Sequence, residues 1–355
     1  MPALIPWVEL KPLERSFDFF EGVGTRFPQQ RAAEIYRLFF TQRRRVKMLH
    51  YSAHNPKQLV INWHLTEACN YSCRYCYAHW QRHESARDLI RQEYQIHKLL
   101  LELREFFDPI NSRNPLAWKM AWSNTRLNIA GGEPLLFPSV VEETVKLASR
   151  VGLKASLITN GSLLTERMAR RIGPGLEVLG ISIDSADAFN NQLIGRVNSQ
   201  GSFLDIRQLQ SSVEAIRERN PAIKIKLNTV INRVNWRDDF SDLVTLLRPD
   251  KWKILRALPV IDQSMTVSDE QFGSFVERHQ QRHRRITVVE DNPDMVESYI
   301  MVDPQGRFFQ NSPCDAGYQY SQPILDVGVA KAFEQISFNA DRFVARYVGE
   351  AGGAE

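Results

Sequence analysis

The sequence predicts an α/β protein, a partial (β/α)6 TIM-like barrel with a ligand-filled centre, and three observations lead to it. Short strand-like segments alternate with amphipathic helical ones along most of the 355 residues, as in a parallel sheet with right-handed crossovers. Each strand has one apolar and one polar face, whereas strands of an open doubly wound sheet, covered by helices on both sides, read as continuous apolar runs. Several polar-face residues are cations, which a dry interior would not hold without partners.

Six segments carry the strand pattern: 59–66, 126–130, 154–160, 177–184, 223–230 and 251–258. In the first, Ile61, Trp63 and Leu65 share one face and Asn62, His64 and Thr66 the other, because successive side chains point to opposite sides. Leu127 and Ile129 likewise oppose Arg126, Asn128 and Ala130, and Leu179, Ile181 and Ile183 oppose Gly180, Ser182 and Asp184. Ile223, Ile225 and Leu227 oppose Lys224, Lys226 and Asn228, while Trp252 and Ile254 oppose Lys251 and Lys253.

Between the strands, Ile96, Leu99, Leu100, Leu103, Phe106 and Phe107 recur at helical spacing. Further helical patterns run near 138–150, 165–172, 204–219 and 236–247. After the sixth unit, 299–303 and 307–310 read as a hairpin around Pro304-Gln305-Gly306. The expected organisation is an N-terminal extension over 1–55, the barrel over 56–290 and a C-terminal segment over 291–355 that covers it.

In such a barrel the active site lies at the C-terminal ends of the strands. Arg126, Lys226, Lys251 and Lys253 then face inward, against Glu133 and Asp184 near the strand ends. That lining suits a polyanion such as a triphosphate. The plainer alternative sets the lysines at strand starts, pointing into water.

Composition excludes several classes. With 43% hydrophobic and 24% charged residues the chain is globular rather than disordered. A net charge of +4 is too small to imply direct nucleic-acid binding. The longest apolar runs, such as Leu135-Leu136-Phe137, are too short to span a membrane. Pro2, Pro6, Glu9 and Pro12 break up the start, where a secretory signal would lie. The basic helical pattern at 31–49 is read as packing on the barrel rather than lying on a membrane. A cytoplasmic monomer is expected.

The cysteines are the sharpest signal. Cys69, Cys73 and Cys76 follow the first strand in a Cys-x3-Cys-x2-Cys spacing, and Cys314 is remote. A disulfide framework would spread its cysteines, so the cluster reads as metal chemistry in a reducing compartment. Three thiolates on one tight loop can hold three corners of a [4Fe–4S] cluster and leave the fourth iron to a non-protein ligand. A structural zinc would need Cys314, His79 or His83 as a fourth ligand, without the paired short spacings usual for zinc. On the cluster reading Cys314 is a free, partly buried thiol.

Together with Gly131-Gly132-Glu133-Pro134 after the second strand, the cysteine loop resembles the radical S-adenosylmethionine (SAM) superfamily. The resemblance implies that Cys69, Cys73 and Cys76 bind the cluster and that SAM chelates its open iron. It also implies that Gly131, Gly132 and Glu133 meet the SAM amino group. Later segments are similar to one branch, the viperins and their prokaryotic relatives. They include Asn62-Trp63-His64-Leu65-Thr66, Thr159-Asn160-Gly161-Ser162, Leu193-Ile194-Gly195-Arg196, Lys226-Leu227-Asn228-Thr229, Lys251-Trp252-Lys253 and Ile324-Leu325-Asp326-Val327-Gly328. They run in order from about residue 60 to 330.

This similarity implies a dehydratase acting on CTP, UTP or GTP. It takes the ribose 4′ hydrogen, expels the 3′-hydroxyl as water and yields a 3′-deoxy-3′,4′-didehydro nucleotide that terminates viral chains. Residue by residue, it puts Tyr77 at adenine, Thr159 and Asn160 beside SAM, and Ser182 and Arg196 near the SAM carboxylate. Arg126, Lys226, Asn228, Lys251 and Lys253 would cradle the triphosphate, and Tyr299 would relay the last hydrogen or proton. Asn62 and His64 are substrate contacts or polar packing. An electron donor such as flavodoxin or ferredoxin is implied as partner. The extension differs from the membrane-binding helix of the animal proteins, so membrane attachment is not carried over. The long 80–125 stretch is expected to lid the site or bear on base choice. Two other readings stand beside this one: a radical SAM enzyme for another small anion or a peptide, and a non-catalytic, zinc-stabilised nucleotide-binding module.

Overall fold

A computed structural model describes residues 56–76, 88–259, 263–311 and 318–348. The expected extension over 1–55, together with Tyr77, His79, His83 and Cys314, lies outside the described residues.

Ten strands form one sheet in the order β10-β9-β8-β1-β2-β3-β4-β5-β6-β7. The six predicted strands are its centre: β1 Gln58–His64, β2 Asn124–Ala130, β3 Lys154–Thr159, β4 Val178–Ser182, β5 Lys224–Ile231 and β6 Lys251–Arg256. All five neighbouring pairs are parallel, as helical crossovers require. β7 (Thr287–Glu290) adds in parallel beside β6, and β8 (Ile300–Val302) in parallel beside β1. β9 (Arg307–Asn311) and β10 (Tyr318–Pro323) follow antiparallel, so the expected hairpin is β8–β9. The edges are β7 and β10, and no ladder joins them among the described residues: the barrel is partial.

Alternation decides what each face does. Leu59, Ile61, Trp63, Leu127, Ile129, Leu179, Ile181, Leu227, Trp252 and Ile254 are all at most 1% exposed, in the core under the helices. Helix Glu93–Phe106 buries Ile96, Leu99, Leu100 and Leu103, the predicted stripe. It belongs to the crossover from β1 to β2, so the described part of the 80–125 stretch serves the helical layer. Trp122 donates its indole N–H to the Phe107 carbonyl at 3.0 Å, anchoring the return to β2. Helices Pro138–Arg150, Glu166–Ile172 and Ile206–Arg219 stand where the periodicity put them.

Two helical segments depart from expectation. The pattern over 236–247 is helical only at Ser241–Leu247. Asn235 turns back there, donating to the carbonyls of Asp184 at 2.7 Å and Val230 at 2.9 Å, and such side-chain bonds compete with a helical start. Helix Asp269–His283 has little apolar periodicity, because His279 takes a core position beside Phe272 and Phe275. Its Ser268/Gln271 capping box was the legible sign. Among the described residues no helix is long and apolar enough to cross a membrane.

Candidate functional site

The cysteine loop leaves the C-terminal end of β1 and is fastened on two sides. On one side Gly132 N–H donates to the Thr66 carbonyl at 2.7 Å and Glu133 N–H to the Ala68 carbonyl at 2.8 Å. A Cβ on Gly131 would come 2.6 Å from the Thr66 carbonyl oxygen, and one on Gly132 2.2 Å from that of Ala68. The glycines thus let the ends of β1 and β2 close on each other. On the other side Ser72 N–H donates to Gly195 O and Arg74 N–H to Ile194 O, both at 3.0 Å. Gly195, at φ +85, ends helix Ala188–Ile194.

Behind this second seam lies a buried ion pair. Arg196 Nη1 stands 2.9 Å from Asp184 Oδ2, with side chains only 7% and 1% exposed. Asp184 also accepts from Val230 N–H at 2.7 Å and from the Tyr75 hydroxyl. Arg196 donates to the Ser182 carbonyl and to Tyr75 Oη, and lies 5.7 Å above the Tyr71 ring. Arg196 and Ser182, both assigned toward SAM from sequence, therefore form one unit with β4, β5 and the cysteine loop.

Glu133 is fully buried. Its carboxylate accepts from Leu135 N–H at 2.9 Å, Thr159 Oγ1 at 2.7 Å and Asn160 N–H at 2.7 Å. Asn160 continues the chain to Asn70 Oδ1 at 2.9 Å, and Ser162 is in turn bound by Asn70. Three predicted SAM residues, Glu133, Thr159 and Asn160, thus meet beside the cysteine loop. Glu133 is a joint between the ends of β2 and β3, already engaged by protein donors.

The thiols fit a cluster by their chemistry. Burial pushes Cys69 up to about 11 and Cys73 up to about 12, so a strong local cation is needed to hold them as thiolates. Cys69, Cys73 and Cys76 are not disulfide-bonded and lie on one loop, in which Cys76 N–H donates to the Cys73 carbonyl at 3.1 Å. Three irons of a [4Fe–4S] cluster suit three such ligands.

Deeper in the barrel the polar parity converges. Arg126 donates to Gln58 Oε1 at 2.9 Å and Ser156 Oγ at 2.8 Å, both neutral partners. Ser156, Asn128 and Asn62 continue the line across β3, β2 and β1 through bonds of 2.7 and 2.8 Å. Asn62 thereby ties strands together. His64, 1% exposed, meets the Phe309 ring edge-on at 5.1 Å, and burial lowers it to about 3, which keeps it neutral. Asn228 pairs in register with Ser182 on β4 and is buried, its amide nitrogen 3.4 Å from where a Cβ on Gly180 would stand.

Across the lumen, Lys253 Nζ lies 2.5 Å from Glu290 Oε1 and 3.0 Å from Tyr299 Oη. Tyr299 donates to Glu290 Oε2 at 2.5 Å. Arg346, on helix Ala340–Val348, reaches Glu290 at 3.1 Å and stacks 3.5 Å above the Tyr299 ring. Burial alone would raise the Glu290 carboxyl, yet Lys253 and Arg346 hold it well below the usual range. Burial pushes Lys226 down to about 8 and Lys251 to about 7, with Arg126 and Arg346 adding repulsion. Glu290 and Arg346 went unnoticed in the sequence. Glu290 ends a four-residue strand without clear periodicity, and nothing local marks Arg346.

Residues 63–247 match the Radical SAM superfamily. Over 291 residues the chain is 44% identical to an S-adenosylmethionine-dependent nucleotide dehydratase of Pseudoalteromonas ulvae, spanning 82% of this chain and 93% of the relative. A protein of the same description from Psychrobacter lutiphocae is 42% identical over 294 residues, 82% of this chain and 95% of the relative. The solved structure described as "Native anSMEcpe with bound AdoMet" is alike in fold, with a TM-score of 0.56 at 13% identity over 79% of this chain and 81% of that one.

Asp184→Asn tests the ion pair. It leaves Arg196 buried beside a neutral partner, and removing one half of a buried pair costs about 3–5 kcal/mol. Chemical denaturation of the nucleotide-free protein should register that loss, and the reconstituted variant should hold less iron per chain than wild type.

Proposed function

The chain belongs to the radical SAM superfamily, in the branch of the viperin-like nucleotide dehydratases, and from that premise we propose that it converts a nucleoside triphosphate, CTP, UTP or GTP, to its 3′-deoxy-3′,4′-didehydro form. The observation that carries the choice of a triphosphate is the inward set of Arg126, Lys226, Lys251, Lys253 and Arg346, gathered around the Glu290 carboxylate. That excess of positive charge invites a polyanion.

When bound, the [4Fe–4S] cluster and SAM supply the one-electron chemistry that removes hydrogen from an unactivated sugar carbon. Cys69, Cys73 and Cys76 would hold the cluster. Gly131, Gly132, Glu133, Thr159 and Asn160 form the ledge against which SAM would lie, and Ser182 with Arg196 frames its carboxylate end. Tyr77 is assigned to adenine. Arg126, Lys226, Asn228, Lys251 and Lys253 fix the triphosphate, and so fix how far the ribose can travel toward the cysteine loop.

Tyr299 is the group we assign to relay the last proton or hydrogen, the accompanying electron coming from the external donor. Its hydroxyl is held between Glu290 and Lys253, away from bulk water, where competing reactions of the sugar are suppressed. A product without a 3′-hydroxyl would end polymerase extension, which fits an antiviral role. Membership of the superfamily sets aside the zinc-stabilised module. Another anion or a peptide remains a matter for the assay below.

An anaerobic turnover assay decides the reading. Protein reconstituted with iron and sulfide is given SAM, dithionite and each nucleoside triphosphate in turn, and mass spectrometry follows 5′-deoxyadenosine and a nucleotide lighter by one water. One nucleotide should give both; 5′-deoxyadenosine without a dehydrated nucleotide would return the substrate to unknown. Lys253→Ala should keep the cluster absorbance and weaken nucleotide binding by about 1.5–3 kcal/mol, the worth of a charged hydrogen bond.

Binding should also depend on pH in a set direction. Lys226 and Lys251 are depressed in the empty fold to about 8 and about 7, so folding releases their protons and the empty protein gains stability as pH rises from about 7 toward the unfolded lysine value. A triphosphate pulls the other way and restores their charge. Affinity should therefore fall between pH 7.5 and 9, at the limit roughly tenfold per pH unit for each lysine recharged. Calorimetry in buffers of different ionisation enthalpy should report net proton uptake. A flat profile would remove these lysines from the cradle.

A further inference from the structure

The outer side of the cysteine loop leads to a surface that the nucleotide does not use. Helix Ala188–Ile194, whose last residue and following glycine hold Ser72 and Arg74 by backbone bonds, turns a bare apolar face outward. Phe189 is 66% and Leu193 42% exposed, one helical turn apart. Beside Leu193 opens a cavity of about 300 Å³, lined also by Arg74, Asn190, Arg233 and Met265. Arg74 bonds Ser264 Oγ at 3.0 Å, and Arg233 is exposed. A third arginine, Arg237, lies over the Trp236 ring on the same loop as Arg233.

The acids nearby are tied up locally. Asp187 caps the helix by accepting from Asn190 N–H at 2.8 Å. Asp238 accepts from Ser185 Oγ at 2.7 Å and from the Asn190 amide at 2.9 Å. The face is therefore a concave apolar centre rimmed by arginines, the anatomy of a protein-recognition patch. Its cations are far from idle neighbours: Arg74 is the residue next to Cys73. The cradle lysines, by contrast, are inside the barrel, so the polyanionic substrate has its own site.

The geometry points to this face as the docking surface for the electron donor, a small acidic one-electron carrier protein of the flavodoxin or ferredoxin type. The inference rests on the function proposed above, since radical SAM chemistry needs an electron from outside. Acidic carriers match the arginine rim, and such complementarity acts chiefly on encounter and orientation. Docking here sets the carrier against the backbone that bears Cys73, since Ser72 and Arg74 on either side of it are bonded to the end of this helix.

The test compares two reductants in the reconstituted enzyme, reading 5′-deoxyadenosine formation. One is a protein chain of NADPH, flavodoxin reductase and flavodoxin, and the other is dithionite, which needs no docking surface. Arg233→Glu and Leu193→Glu should each lose at least tenfold with flavodoxin while staying within twofold of wild type with dithionite. The wild-type rate with flavodoxin should also fall as salt is raised. Full flavodoxin-driven rates in both variants would overturn the surface. So would equal losses with both reductants, because the residues would then serve the cluster itself. Wild type that forms no 5′-deoxyadenosine even with dithionite would instead overturn the functional reading, a separate failure.

Discussion

The Asp184–Arg196 pair is the constraint on which the upper half of the barrel depends. Burying two charges carries a large desolvation penalty, which is offset only when the remaining donors and acceptors are also satisfied. Here they are: Asp184 takes the Val230 amide and the Tyr75 hydroxyl, and Arg196 gives to the Ser182 carbonyl. The pair thus joins β4, β5, the end of helix Ala188–Ile194 and the loop bearing the three thiols. Glu133 does the corresponding work on the opposite side, linking the ends of β2 and β3. A loop that must present three thiols in one geometry is held from both flanks by carboxylates that face protein donors.

The lower half obeys the opposite rule. Where the upper half balances its charges, the interior beneath keeps Lys226, Lys251 and Arg126 in mutual repulsion, offset in part by the Glu290 carboxylate. That arrangement is unfavourable in the empty protein and becomes favourable with a polyanion among them. The two halves divide the labour: one pairs its charges internally, the other concentrates positive charge.

Much of this was legible in the sequence because period-two alternation states which side chain faces which way. The strands and the inward parity of Arg126, Lys226, Lys251 and Lys253 follow from it, the parallel order follows from the helical crossovers between them, and the cysteine loop stands out by its spacing alone. The roles inferred from resemblance were less physical. Glu133 and Arg196 could be assigned toward a cofactor, yet their protein partners, which explain why they hold still, lie 26 and 12 residues away. Glu290 and Arg346 were illegible for the same reason: each belongs to a short or late element, and they meet 56 residues apart. Asn235 shows the reverse error, a helical pattern overruled by one amide with two carbonyls in reach.

The sheet leaves β7 at an edge, while Tyr299, just before β8, reaches Glu290, the last residue of β7. What spans the lumen there is a clasp of side chains, Tyr299, Glu290, Lys253 and Arg346, rather than a ladder of peptide bonds. A closed barrel has its girth fixed by strand number and shear. In this one the girth across the clasp is a matter of four side chains, so the chamber can be refitted for a different guest by point substitution while every strand keeps its register.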